Sequence, residues 1–147
     1  MKILVINGPN LNLLGVRDKN QYGTITLNDI KNLLEKEFDT ISFKFFQSNI
    51  EGEIVDEIQK AKDVYDGIII NPGGYAHTSV AIRDALSDSP LNKVEVHLSH
   101  LVNRENFRQS LITASGCDGY ISGFKEISYI GGIKILINLI EKNKGNI

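Results

Sequence analysis

From Ile68 to Asp84 the chain reads Ile-Ile-Ile-Asn-Pro-Gly-Gly-Tyr-Ala-His-Thr-Ser-Val-Ala-Ile-Arg-Asp, and no other stretch restricts the fold as strongly. Three consecutive β-branched residues with no polar alternate predict a strand buried on both faces, as in a parallel sheet covered by helices on either side. Asn71, Pro72, Gly73 and Gly74 end it, since proline donates no ladder bond and the glycines allow positive φ or close backbone approach. From Thr78 the pattern turns helical, with Thr78 or Ser79 as N-cap and Ala81, Ile82, Ala85 and Leu86 as the apolar stripe. In open α/β sheets such a strand, glycine turn and helix form a ligand-binding crevice, faced here by Asn71, His77 and the free amides of the helix start.

The same alternation recurs along the chain. Lys2 to Ile6 suits a central strand and gives way to another polar turn, Asn7-Gly8-Pro9-Asn10. Leu11 to Gly23 has neither helical nor alternating period, which predicts a long mobile loop of the kind that carries function. Thr26 and Asp29 make a capping box before Leu27, Ile30, Leu34 and Phe38, so a first helix should end near Phe38. Ile41, Phe43 and Phe45 alternate with Ser42, Lys44 and Phe46 as in a strand at a sheet edge. Ser48 and Glu51 repeat the capping signature ahead of a helix that turns Ile54, Ile58 and Ala61 inward. Past the break at Ser87 to Pro90, Val94, Val96 and Leu98 mark a fourth strand, Arg104 to Gln109 one or two helical turns, and Gly119 to Gly123 a fifth strand. Ile130 to Ile140 is the closing helix, weakened at its start by Gly131 and Gly132, with a polar tail from Glu141 to Asn146 expected to fray.

Five such alternations with short connections define an α/β protein: a flavodoxin-like, doubly wound, five-stranded parallel sheet, a single domain over residues 1 to 147 with a mobile lid at about 11 to 23. Charge narrows the partners. Sixteen basic and 18 acidic residues are interspersed at a net charge of -2, which offers no surface for nucleic acid or an anionic membrane and leaves a small solute as the expected ligand. Lys134, Asn138 and Glu141 interrupt the most hydrophobic region, so no run nears the roughly 20 residues of a bilayer span. Met1 to Ile6 is too short an apolar run for a signal peptide, and the one cysteine, Cys117, has no internal disulfide partner; the expected compartment is the cytoplasm.

Glu95 and His97 are the most anomalous pair, because period-two geometry puts both on one side of an otherwise apolar strand, about 7 Å apart along the backbone. A buried charge there needs a partner, so the carboxylate either orients and polarises the imidazole for chemistry or forms a structural core pair with it. Tyr22 reads as a surface aromatic that packs its loop down, or, with Arg17 nearby, as a base. A phenol serves as a base near neutral pH only where cations hold its phenolate; a shift of roughly 2 units takes about 3 kcal/mol of interaction. Arg104 and Arg108 stand at i and i+4, either as two solvated arginines or as a pair of donors facing one way. His97 and His100 lack the further ligands of a metal site, and no phosphate-binding fingerprint follows the first strand, so neither metal nor nucleotide is expected.

Taken together these blocks resemble type II 3-dehydroquinate dehydratase over nearly the whole chain. The matching motifs are Asn7-Gly8-Pro9-Asn10-Leu11-Asn12-Leu13-Leu14-Gly15 with Arg17 and Tyr22-Gly23; Glu51-Gly52-Glu53; Asn71-Pro72-Gly73 with His77 to Asp84; and Glu95-Val96-His97-Leu98-Ser99 with Arg104-Glu105 and Phe107-Arg108. The resemblance implies dehydration of 3-dehydroquinate in the shikimate pathway by anti elimination through an enolate, with no cofactor, metal or Schiff-base lysine. It implies that Tyr22 is the base, that Arg17 with Arg104 stabilises its phenolate, and that Asn10 holds a water on the enolate. His97, oriented by Glu95, would be the general acid. Asn71, His77 and Arg108 would bind substrate hydroxyls, and Ser99 with the Leu98 and Ser99 amides its carboxylate. Asp84 would reach a neighbouring subunit of a homo-oligomer, a dodecamer built from trimers. His100 departs from the asparagine usual in the family, which puts a titrating group near the carboxylate pocket; Leu111 to Gly119 and Lys125 to Gly132 also depart, at places expected to lie away from acid and base. Two other classes compete, a silent module that binds a polyhydroxylated acid and a nucleotide-dependent enzyme on the same sheet.

Overall fold

The computed structural model describes residues 1–145. Five parallel strands, β1 (Lys2–Asn7), β2 (Ser42–Gln47), β3 (Gly67–Asn71), β4 (Asn92–His97) and β5 (Gly119–Ser122), form one sheet in the order β2-β1-β3-β4-β5. The helices are α1 (Lys19–Tyr22), α2 (Leu27–Glu37), α3 (Glu51–Lys60), α4 (Val80–Asp88) and α5 (Ile127–Gly145), so the doubly wound architecture expected from the alternating pattern is the one present.

Each central strand feeds two cores. Ile3, Val5 and Ile69 pack with Ile30 and Leu34 of α2 and Tyr129, Ile133 and Leu136 of α5 on one face. On the other, Leu4, Ile6, Ile68 and Ile70 meet Ile54 and Ile58 of α3 and Ile82, Ala85 and Leu86 of α4. An unbroken isoleucine run is therefore what β3 requires, since every second residue serves the opposite layer. Strand β2 lies at the edge and is only partly covered, as its alternation predicts.

The chain passes from β1 outward to β2 and returns to β3 on the other side of β1, so the order reverses between β1 and β3. The crevice outside their carboxyl ends is where ligands bind in such sheets. Its two walls interlock. The Gly8 amide donates to the Asn71 carbonyl at 2.8 Å, and a Cβ on Gly8 would sit 2.3 Å from the Pro72 carbonyl oxygen. Gly73, at φ 60°, faces Pro9 in the same way, whereas Gly74 has open space where a Cβ would be and supplies neither feature expected of it.

Several local expectations are corrected. Leu11 to Gly23 is not without helical period: it holds a 3-10 turn (Leu11–Leu13) and α1, whose N-cap Asp18 accepts from the Gln21 amide. Ser48 does not cap α3; Ile50 occupies that position, while the Ser48 hydroxyl donates to Glu53 and accepts from the Ile50 amide. Glu51 instead accepts from Ser79, which is the α4 N-cap through its bond from the Ile82 amide. Helix α5 begins before Ile130, and Gly132 lets it approach the sheet, since a Cβ there would meet Val96 at 2.6 Å. The helix runs through the polar tail to Gly145, and Asn146 lies outside the described residues. Among the described residues no helix is long and apolar enough to cross a membrane.

Candidate active site

The crevice encloses roughly 540 Å³, its open mouth included. Tyr22 and Arg17 enter from the Leu11 to Gly23 segment, Asn10 from the β1 turn, Asn71 and His77 from the β3 turn, and His97, Leu98, Ser99, Arg104 and Arg108 from the end of β4 and the segment beyond. Glu95 stands behind His97. Asp84 is elsewhere, on an exposed face, 2.9 Å from Arg83.

Within the crevice, the Tyr22 hydroxyl accepts from Arg104 Nη1 at 2.9 Å and from Arg17 Nη2 at 3.4 Å. Both guanidiniums also lie over the ring, 4.6 Å (Arg17) and 5.3 Å (Arg104) from its centre. The phenol is 9% exposed and the Arg104 side chain 8%, so these charges act with little water between them, where electrostatic interactions are strongest. Arg104 is not on one helical turn with Arg108, as their spacing suggested; it precedes the 3-10 turn Asn106–Gln109. The two arginines are tied by Glu105, whose carboxylate accepts from Arg108 Nε at 2.7 Å and lies 3.5 Å from Arg104 Nε.

Elsewhere in the same crevice, His97 Nε2 is 2.7 Å from Glu95 Oε1. Glu95 is completely buried, and a lone carboxylate there would cost several kcal/mol. Its second oxygen is satisfied too, accepting from Thr113 Oγ1 at 2.6 Å. The imidazole nitrogen of His97 not bound to Glu95 remains for the cleft. His77 stacks on His97 with ring centres 6.4 Å apart, and its Nδ1–H donates to the Ser110 carbonyl at 2.8 Å. Burial holds the His77 pKa below its ordinary value, the Ser110 carbonyl opposing and the positive fields of His97 and Arg108 adding. A neutral His77 thus offers Nε2 as an acceptor.

Beneath these, Asn71 Nδ2 donates to the Tyr129 hydroxyl at 3.0 Å, and that hydroxyl donates to Asn7 Oδ1 at 2.5 Å. Burial pushes the Tyr129 phenol well above its usual range, so it stays protonated. Asn71 Oδ1 accepts from the Gly73 amide, which leaves one amide hydrogen of Asn71 for a ligand. Asn10 reaches the cleft from a left-handed backbone at φ 68° and donates its amide to Asn49.

Two further sequence expectations fail here. Leu111 to Gly119 and Lys125 to Gly132 do not lie away from the chemistry, for Thr113 holds Glu95 and Tyr129 holds Asn71. His100 does not approach the carboxylate pocket; it packs against Gly123 outside the cleft and bonds Asn103. Thr113 and Tyr129 escaped notice because each is an ordinary residue with no motif around it, and Asn7, though it opens the first motif, was assigned no role of its own. The one available signal was arithmetic: a buried carboxylate with a single histidine partner still needs a second donor. Among the described residues no three His, Cys, Asp or Glu side chains converge as a metal site requires.

A doubly wound sheet whose crevice holds both a phenol bonded to two cations and a carboxylate-backed imidazole is the layout of an acid–base enzyme acting on a small polar solute. Residues 1–137 match the family model described as Dehydroquinase class II, and the chain belongs to that family. It is 50% identical over 147 residues to a 3-dehydroquinate dehydratase of Fusobacterium nucleatum, across 97% of this chain and 100% of the relative. A 3-dehydroquinate dehydratase of Aliarcobacter butzleri is 48% identical across 98% of this chain and 89% of its own length. The crystal structure of the type II dehydroquinase from Butyrivibrio crossotus, 47% identical, matches with a TM-score of 0.90 over 92% of this chain and 97% of that one.

Proposed function

We propose that this chain, as an enzyme of that family, dehydrates 3-dehydroquinate to 3-dehydroshikimate in the shikimate pathway, by anti elimination through an enolate and with side chains alone. The observation that supports the mechanism is that one cleft is lined both by the doubly cation-held Tyr22 hydroxyl and by the Glu95-backed His97.

Tyr22, as phenolate, removes the proton beside the ketone, and the electron pair moves into the enolate. Asn10 holds a water that hydrogen-bonds this oxygen, stabilisation placed where charge develops. The enolate then collapses, the carbon–oxygen bond to the leaving hydroxyl breaks, and His97 delivers a proton to that oxygen as general acid. One proton and one hydroxide leave as water, and a proton passed from Tyr22 back to His97 through solvent resets the pair. Asn71, His77 and Arg108 hold substrate hydroxyls; Ser99, oriented by Arg104, and the Leu98 and Ser99 amides hold its carboxylate. The lid brings Arg17 and Tyr22 over the substrate and excludes water. Asp84, solvent-facing in the single chain, reaches the site of a neighbouring subunit in trimers packed as a dodecamer, a cytoplasmic assembly.

The test is to mix the purified protein with 3-dehydroquinate and follow the absorbance of the conjugated enone, with and without a chelator, and after borohydride treatment in the presence of substrate. Equal rates in all three support the reading. Absence of enone leaves a binding module; loss with chelator or borohydride replaces the side-chain mechanism.

A further inference from the structure

Glu95 has two buried oxygens and two partners, and only one of those partners belongs to the acid–base pair. Thr113, itself fully buried, donates its hydroxyl to Oε2 at 2.6 Å while Oε1 meets His97 Nε2 at 2.7 Å. Thr113 opens a 3-10 turn (Thr113–Gly116), and the Ile112 amide before it donates to the Ala76 carbonyl at 2.8 Å. The segment is thus pinned to the turn that carries His77, whose Nδ1 bonds Ser110 three residues ahead of Thr113. The geometry points to Thr113 as a positioning residue of the dehydration: by donating to one carboxylate oxygen it fixes the rotation of Glu95 so that the other keeps His97 in the tautomer whose free nitrogen faces substrate. This rests on the proposed role of His97.

The hydroxyl is required because an ionised carboxylate only accepts, so the second oxygen needs a donor on a residue small enough to be enclosed. A carboxylate free to rotate would offer His97 a poorer line of approach, and misplacement of a catalytic group by a fraction of an ångström is enough to slow chemistry. Of the neighbouring titratable groups, His77, itself near Arg108, interacts with both members of the pair, and Cys117, itself near Lys93 and Asp118, interacts with Glu95. None of them is hydrogen-bonded to Glu95 Oε2.

The test compares Thr113→Val, which keeps shape and loses the donor, with Thr113→Ser, which keeps the donor. Removing the hydroxyl should lower kcat about ten- to hundredfold with little change in KM, by the scale of effects seen when a supporting group is lost. It should also displace the limb of the kcat profile set by His97, and serine should restore both. Ring-nitrogen NMR shifts of His97 read the same displacement without substrate. A valine enzyme slowed or destabilised with an unmoved pH profile and unmoved His97 resonances overturns the assignment. Should the valine variant not fold, Thr113→Cys, of similar bulk and a feeble donor, takes its place with the same two outcomes. Wild-type protein inactive on 3-dehydroquinate would instead overturn the proposed function, a result separable from these.

Discussion

One nitrogen of Arg104 donates both to the Tyr22 hydroxyl, 82 positions earlier in the chain, at 2.9 Å and to Ser99 at 3.1 Å. The Leu11 to Gly23 segment is thereby fastened to the carboxyl end of β4 through Tyr22, whose hydroxyl gains from Arg104 a second cation beside Arg17.

Arg104→Lys should therefore be far from conservative. An ammonium is a compact charge without the planar fork that spans two oxygens, and Tyr22 and Ser99 would compete for it. The expected result is a fall in kcat/KM of about a hundredfold, read by steady-state assay, with thermal stability nearly unchanged.

Tyr22→Phe and His97→Ala are each expected to lower kcat by about a thousandfold or more, at the upper range for loss of a positioned acid or base. Circular dichroism and Tm should report an intact fold for Tyr22→Phe. Near-normal rates in either variant would return Tyr22 to a packing role or His97 to a structural one.

Tyr129→Phe removes a hydroxyl that serves two amides at once, donating to Asn7 and accepting from Asn71. Both asparagines are almost fully buried, so their amides lose a partner where water cannot replace it. We expect about 1–3 kcal/mol of lost stability in urea melts, together with a raised KM because Asn71 is no longer held.

Asp66 accepts from the Lys2 amide at 2.7 Å and pairs with Lys144 at 3.2 Å; the backbone bond is the larger reason its pKa lies below the ordinary value. Its contribution to stability is present above the unfolded carboxylate value of about 3.9 and is lost as the pH falls through the lower folded value. Asp66→Asn should cost about 1 kcal/mol or less at pH 7, given a side chain one-third exposed, and should flatten the acid limb of stability below pH ~4. An unchanged acid limb would contradict this.

Asp84→Ala is expected to lower activity and weaken assembly together, by sedimentation velocity, because the side chain's only bonded partner within the described chain is its neighbour Arg83. A fully active monomer would remove the intersubunit role.

The sheet and its four longer helices were readable because each answers to one dominant rule: β3 shows an unbroken apolar run, α2 a capping box and a 3.6-residue stripe, β2 the half-covered alternation of an edge. The Leu11 to Gly23 segment was less legible, since α1 has only four residues, and its place is set by Arg104 and Lys125 from distant segments. Glu95 and His97 stood out as charged groups in an apolar strand. Thr113 and Tyr129 did not, because a threonine or tyrosine in an apolar neighbourhood offends no local rule; their importance comes from contacts 18 and 58 positions away, to Glu95 and Asn71. His100 misled for the converse reason, as adjacency to Ser99 in the chain says nothing about which way a side chain turns after a strand ends.

The interlock of Gly8 with Pro72 and of Gly73 with Pro9 leaves no room for a side chain where the β1 and β3 turns abut. Any larger residue at position 8 would wedge the two turns apart, and with them Asn10 on one side and Asn71 and His77 on the other, so the spacing of these three groups is inherited from a junction that holds no side chain of its own.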